Sequence, residues 1–143
     1  MRRLLLGVTL AIVPAAITNA AGDNSPNTFV CTPDYSTGFA IGSSGKWEPT
    51  PFNVKGKEYV LNSQNGRWFW TDKGQTAKDP QNLCGGFDKD GFISCKNGDT
   101  SVFFNLRTLR FQALYPYGYV VSDVAIDKLG VTPSYEIGRC SAM

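Results

Sequence analysis

After residue 27 the chain alternates short apolar and aromatic runs with Gly, Asn, Asp and Pro. The runs are rich in Val, Ile, Phe, Tyr and Trp, which suits half-buried pleated strands. They predict strands over 28–32, 37–41, 51–54, 57–62, 67–71, 91–95, 101–105, 109–114, 118–122 and 134–140. The breaks between them carry turn chemistry: Ser43-Ser44-Gly45, Lys55-Gly56, Asn65-Gly66, Asp90-Gly91 and Asn97-Gly98. Asn65-Gly66, flanked by two strand runs, predicts a tight hairpin. Residues 121–128 come nearest to a helical pattern, but Gly130 and Pro133 follow closely, so a single turn or a loop is expected there. Short strands at a spacing of about 8–12 residues indicate an antiparallel sandwich or barrel. Sequential hairpins favour the barrel: all-β, one antiparallel meander that closes on itself and has no open edge.

The pattern changes at the start of the chain. Arg2 and Arg3 precede the apolar stretch 4–13, Pro14 breaks it, and Thr18 and Ala20 occupy the small-residue positions before a cut. Residues 1–20 therefore read as a secretory signal peptide, too short in its apolar core to span a membrane. Residues 21–27 read as a loose N-terminal stretch, and 28–143 as one domain. The two signal arginines also carry the whole charge excess. The formal net charge is +2 from 14 basic and 12 acidic residues, and without Arg2 and Arg3 the balance is 12 against 12. A neutral domain with interspersed charges lacks the basic patch that nucleic acid or an anionic membrane surface requires.

Export gives the four cysteines a meaning. Cys31, Cys84, Cys95 and Cys140 would pair in an oxidising compartment, periplasmic or secreted. Three pairings are available. Cys84 and Cys95 flank a turn-like segment, which favours a local bond and leaves Cys31 with Cys140, as neighbouring first and last strands would require. Cys31–Cys84 with Cys95–Cys140 is the alternative. The absence of any Cys-x-x-Cys and the wide spacing argue against a redox or zinc role.

The chain has no histidine, which excludes Ser–His–Asp and Cys–His catalysis and histidine metal sites. Carboxylate chemistry remains. Asp72, Asp79, Asp88, Asp90, Asp99 and Asp127 sit in turn-like contexts, and Glu58 and Glu136 within strands, where alternation against Tyr59, Tyr135 and Ile137 reads as outward and solvated. Asp88-Lys89-Asp90-Gly91-Phe92 has the centre of a calcium-binding loop, but Gly86 and Asn97 stand at its first and last ligand positions, so a hairpin turn is expected and no metal. The aromatic load is the more suggestive feature. Trp68 and Trp70 point to one face of a strand and Phe69 to the other, with Phe92, Phe103, Phe104 and Phe111 adding to a core. Tyr115, Tyr117 and Tyr119 flank Pro116 and Gly118 in a corner, and are the candidate ligand contacts, for a sugar ring or an apolar molecule.

Two resemblances follow. Ser44-Gly45-Lys46-Trp47 resembles the Ser-Gly-x-Lys-Tyr loop of periplasmic C-type lysozyme inhibitors, with one residue fewer between Gly and Lys. It covers four residues and transfers no role to Ser44 or Lys46. A second spans most of the domain: Phe29-Val30-Cys31-Thr32-Pro33, Gly91-Phe92-Ile93-Ser94-Cys95, Phe104-Asn105, Thr108-Leu109-Arg110-Phe111, Gly118-Tyr119, Thr132-Pro133 and Glu136-Ile137-Gly138 before Cys140. This layout resembles a group of small exported bacterial proteins with no assigned activity, and implies a bacterial envelope or secreted setting. Together these readings describe a disulfide-stapled barrel, lipocalin-like or lysozyme-inhibitor-like. Its expected role is non-enzymatic binding, as a monomer without cofactor, of a protein partner or a small apolar or sugar ligand. A structural envelope component and a carboxylate-dependent glycan hydrolase are the alternatives.

Overall fold

The computed structural model describes residues 26–120 and 132–143. The expected signal segment 1–20 and the 121–128 segment lie outside the described residues. Eight strands form among the described residues: β1 (Thr28–Ile41), β2 (Trp47–Phe52), β3 (Tyr59–Gln64), β4 (Arg67–Asp72), β5 (Phe92–Asn97), β6 (Thr100–Asn105), β7 (Arg110–Tyr115) and β8 (Ser134–Ala142). They make one antiparallel sheet in the order β4-β3-β1-β8-β7-β6-β5, with β2 paired to β1 beyond β3. First and last strands are neighbours, as a closed barrel demands.

The remaining gap lies between β4 and β5, and residues 82–85 fill it. Trp70 N–H donates to Asn82 O and Cys84 N–H to Trp68 O on one side, while Gly85 N–H donates to Ser94 O and Lys96 N–H to Leu83 O on the other. A segment with no strand signature thus satisfies both edges and nearly closes the barrel.

Turn residues set the hairpins. Asn65 and Gly66 both have positive φ (53° and 75°), the conformation of a two-residue turn whose twist matches its strands. One further bond lies just before β1: Ser63 N–H donates to Asn27 O.

Two expected strands merge in β1. The segments 28–32 and 37–41 are one strand because a bulge at Asp34 absorbs the interruption: Pro33 pairs with Gly138 and Tyr35 with Ile137. Proline has no N–H for the ladder, so a bulge is where a strand tolerates it. The extra residue also resets the alternation. Phe29, Cys31 and Pro33 face inward before it, and Ser36 after it. The strand expected over 118–122 does not form in its described part, where Gly118, Tyr119 and Val120 make a bend and turn.

Both disulfides form as expected, Cys31–Cys140 and Cys84–Cys95. Each joins directly opposed residues at a seam of the barrel: β1 with β8, and the 82–85 segment with β5. They fit an oxidising, extracytoplasmic compartment. Between them the interior is filled by Phe29, Leu61, Trp70, Ile93, Val102, Phe104 and Phe111. Gly138 makes room for this packing, since a Cβ there would stand 2.5 Å from the Phe111 ring and 2.4 Å from Thr32 O. Among the described residues no helix is long and apolar enough to cross a membrane.

Candidate functional site

The apolar filling stops short of one end. Along each strand the inward side chains change from apolar to polar: Ile93, Cys95, Asn97 on β5, Phe104, Val102, Thr100 on β6, Cys140, Gly138, Glu136 on β8. Where Ala113 replaces a bulky residue on β7, a cleft of about 490 Å³ opens, within the usual range of small-molecule sites. Trp70 and Val102 form its floor, and the 73–82 loop supplies Gln75, Lys78 and Asn82 to one wall.

Glu136 is the deepest charged group there. Its expected outward orientation is wrong: the side chain is buried and points into the barrel. Its neighbours Tyr135 and Ile137 are the outward ones, at 39% and 42% exposure. The reason is phase. Cys140 must face inward to reach Cys31, and residues two and four earlier share its face. A buried carboxylate requires partners. Lys57 Nζ donates to Oε1 at 2.5 Å and the Tyr59 hydroxyl to Oε2 at 2.6 Å. Burial first, then the hydrogen bond to Glu136 and the negative charges of Glu136 and Asp72, hold the Tyr59 phenol protonated far above its usual range. Trp70 and Phe111 pack on the Tyr59 ring, with centroids 5.5 and 5.8 Å away, and fix its direction.

The opposite wall is a chain of amides. Lys78 N–H donates to Asn82 Oδ1 at 2.9 Å, Asn82 Nδ2 to Asn97 Oδ1 at 2.8 Å, and Asn97 Nδ2 to Asp72 Oδ1 at 3.1 Å. Lys57, Lys78, Asp72 and Glu136 are the charged lining groups, two of each sign, so the cleft is neutral overall. Ser36, opposite Glu136 in the β1–β8 register, has a buried hydroxyl with no hydrogen-bond partner among the described residues.

The tyrosine candidates divide. Tyr115, half-buried at the end of β7, lines the cleft, and Tyr117 sits against it with ring centroids 5.8 Å apart. Tyr119 turns away, edge-on to Trp47 at 5.6 Å, and does not line the cleft. Glu58 lies just before β3, not within a strand, and pairs with Lys73 at 2.7 Å. Asp88 Oδ1 accepts the Asp90 and Phe92 N–H groups, the expected turn. Ser44 donates to Glu48 across the β1–β2 turn. Sequence reasoning missed Lys57, Tyr59, Asp72, Asn82, Asn97 and the inward Glu136. Only Glu136 had a signal, its two-residue steps from Cys140.

Fold and site together define a small disulfide-stapled antiparallel barrel, packed at one end and holding a polar cleft at the other. No protein-family model, curated protein sequence or solved structure matches the chain.

Proposed function

We propose that the protein is a non-enzymatic binding protein of the periplasm or secreted space, and that the cleft beside Glu136 holds a small, neutral, hydroxyl-rich ligand such as a saccharide unit. The arrangement of Glu136 carries this reading. Both carboxylate oxygens accept hydrogen bonds from fixed donors, so the group serves as a preorganised acceptor. Around it amides and hydroxyls alternate donors and acceptors, as a polyol requires, and Tyr115 offers an aromatic face at the rim. The filled interior argues against an apolar cargo. Export by the N-terminal signal and the resemblance to small exported bacterial proteins support the location.

NMR titration of the purified oxidised protein with a panel of neutral mono- and disaccharides tests the reading. Shifts concentrated on the Asn82 and Asn97 side-chain amides and the Trp70 indole are expected, with binding about tenfold weaker in Tyr115→Ala, or about 1.4 kcal/mol. A panel that leaves these signals unmoved overturns it.

One observation favours a second reading. Asp72, opposite Tyr59 in the β3–β4 register, and Glu136, bonded to the Tyr59 hydroxyl, line the same cleft, and glycan hydrolysis works with two acids. Release of reducing ends from envelope glycans, abolished in Glu136→Gln, would establish it in place of the first.

A further inference from the structure

A second surface lies on the outer face of β5–β8 and shares no lining residue with the cleft. Alternation that sends Phe104, Phe111 and Glu136 inward sends Phe103, Leu114, Tyr135 and Ile137 outward, all between 39% and 44% exposed. Phe92 at 53% and Tyr35 at 73% extend the group. The register makes them contiguous. Tyr35, Ile137, Gln112 and Phe103 form one row across four strands, and Tyr135 and Leu114 stand in the row beside it. Scattered exposed apolar residues are ordinary, whereas a contiguous set on one sheet face marks an interaction surface.

The charges next to this patch say what it would meet. Arg110 on β7 and Arg139 on β8 are directly opposed on the outer face, a destabilising like-charge pair. Asp34, the bulge residue, relieves one of them: its two carboxylate oxygens accept from Arg139 Nε and an Arg139 terminal nitrogen at 3.0 Å each. Arg110 has no carboxylate partner among the described residues. Among the described residues the row is one carboxylate short. A hollow of about 490 Å³ runs between Arg110, Phe92, Phe103 and Ile137, which places an anionic group and an apolar side chain side by side. Strands β6, β7 and β8 are paired on both edges, so a partner must be read through side chains and not by strand addition.

We infer that this face docks a partner protein, through an extended segment that lays apolar side chains over Phe103 and Ile137 and sets a carboxylate against Arg110. The probe is a phage-displayed library of random dodecapeptides panned on the purified oxidised protein, with the best peptide synthesised for fluorescence polarisation. Enriched peptides should carry Asp or Glu within two residues of an aromatic or branched aliphatic residue. Arg110→Glu and Phe103→Ser should each weaken binding about tenfold or more, and exchanging the peptide acid for Lys should restore binding to Arg110→Glu. Because both positions are exposed, thermal melts of the variants should stay close to the parent's. Tyr115→Ala, in the cleft, should leave peptide binding unchanged, which separates this inference from the saccharide reading. Peptides without an acid, or binding indifferent to Arg110→Glu, overturn it. So does a concentration-dependent dimer in sedimentation that Ile137→Lys abolishes, because a second copy would then cover the face.

Discussion

At one end of the barrel Phe29, Trp68, Phe87 and Phe104 pack ring against ring, with centroids 5.2 to 6.2 Å apart. At the other, Glu136, Lys57, Asp72 and Asn97 surround a cleft. The same strands build both ends, and the change takes two residues along each. What differs is how each end satisfies its contents. Rings need only neighbours at van der Waals distance, so the first end closes on itself. Polar groups need directed partners, and the second end supplies them through long-range pairs: Lys57 and Tyr59 reach Glu136 from 79 and 77 residues away in sequence. Apolar packing is thereby concentrated in one half and directed polar pairing in the other.

The largest expected effect attacks the packed end. Phe104→Ala should cost about 3–5 kcal/mol in urea unfolding, while saccharide affinity in the remaining folded protein stays unchanged. A loss of affinity of matching size would mean that the two ends are not separable. Lys57→Met strikes the cleft by removing a partner of buried Glu136. Its Nζ sits on a side chain 45% exposed, so water compensates part of the loss and about 1–2 kcal/mol is expected.

A smaller effect comes from pH. The raised Tyr59 pKa means that the fold prefers the protonated phenol. The associated stability is fully present below the unfolded value near 10 and falls as pH rises above it. Urea midpoints measured across this alkaline range should decline more steeply for the parent than for Tyr59→Phe, which itself should cost about 1 kcal/mol at neutral pH. Smallest of all is Ser36→Ala. Its hydroxyl has no partner to lose among the described residues, so stability should stay within about 0.5 kcal/mol. A clear destabilisation would show that the hydroxyl is engaged.

The packed end was far more legible in the sequence than the cleft. Alternating aromatics and Asn-Gly turns report strands and hairpins locally, and two cysteines near the ends of the barrel domain report its closure. The cleft rests on absolute phase, which alternation alone does not supply. In β8, Tyr135 and Ile137 look like core and Glu136 like surface, and the reverse holds because Cys140 anchors the register. The bulge at Asp34 hides Ser36 in the same way, by shifting the inward set one residue along. Residues 82–85 carry no periodic signal at all, since their ladder partners belong to β4 and β5 and not to their own neighbours.

The Cys31–Cys140 bond has a mechanical consequence. Tension applied to the chain on either side of this pair passes through one covalent bond and bypasses the hydrogen-bonded ladders between Cys31 and Cys140. The oxidised protein should therefore bear a pull along the chain without unfolding. Reducing both disulfides would transfer the load to the strands and release the 109-residue span between Cys31 and Cys140, about 360–390 Å of extended chain.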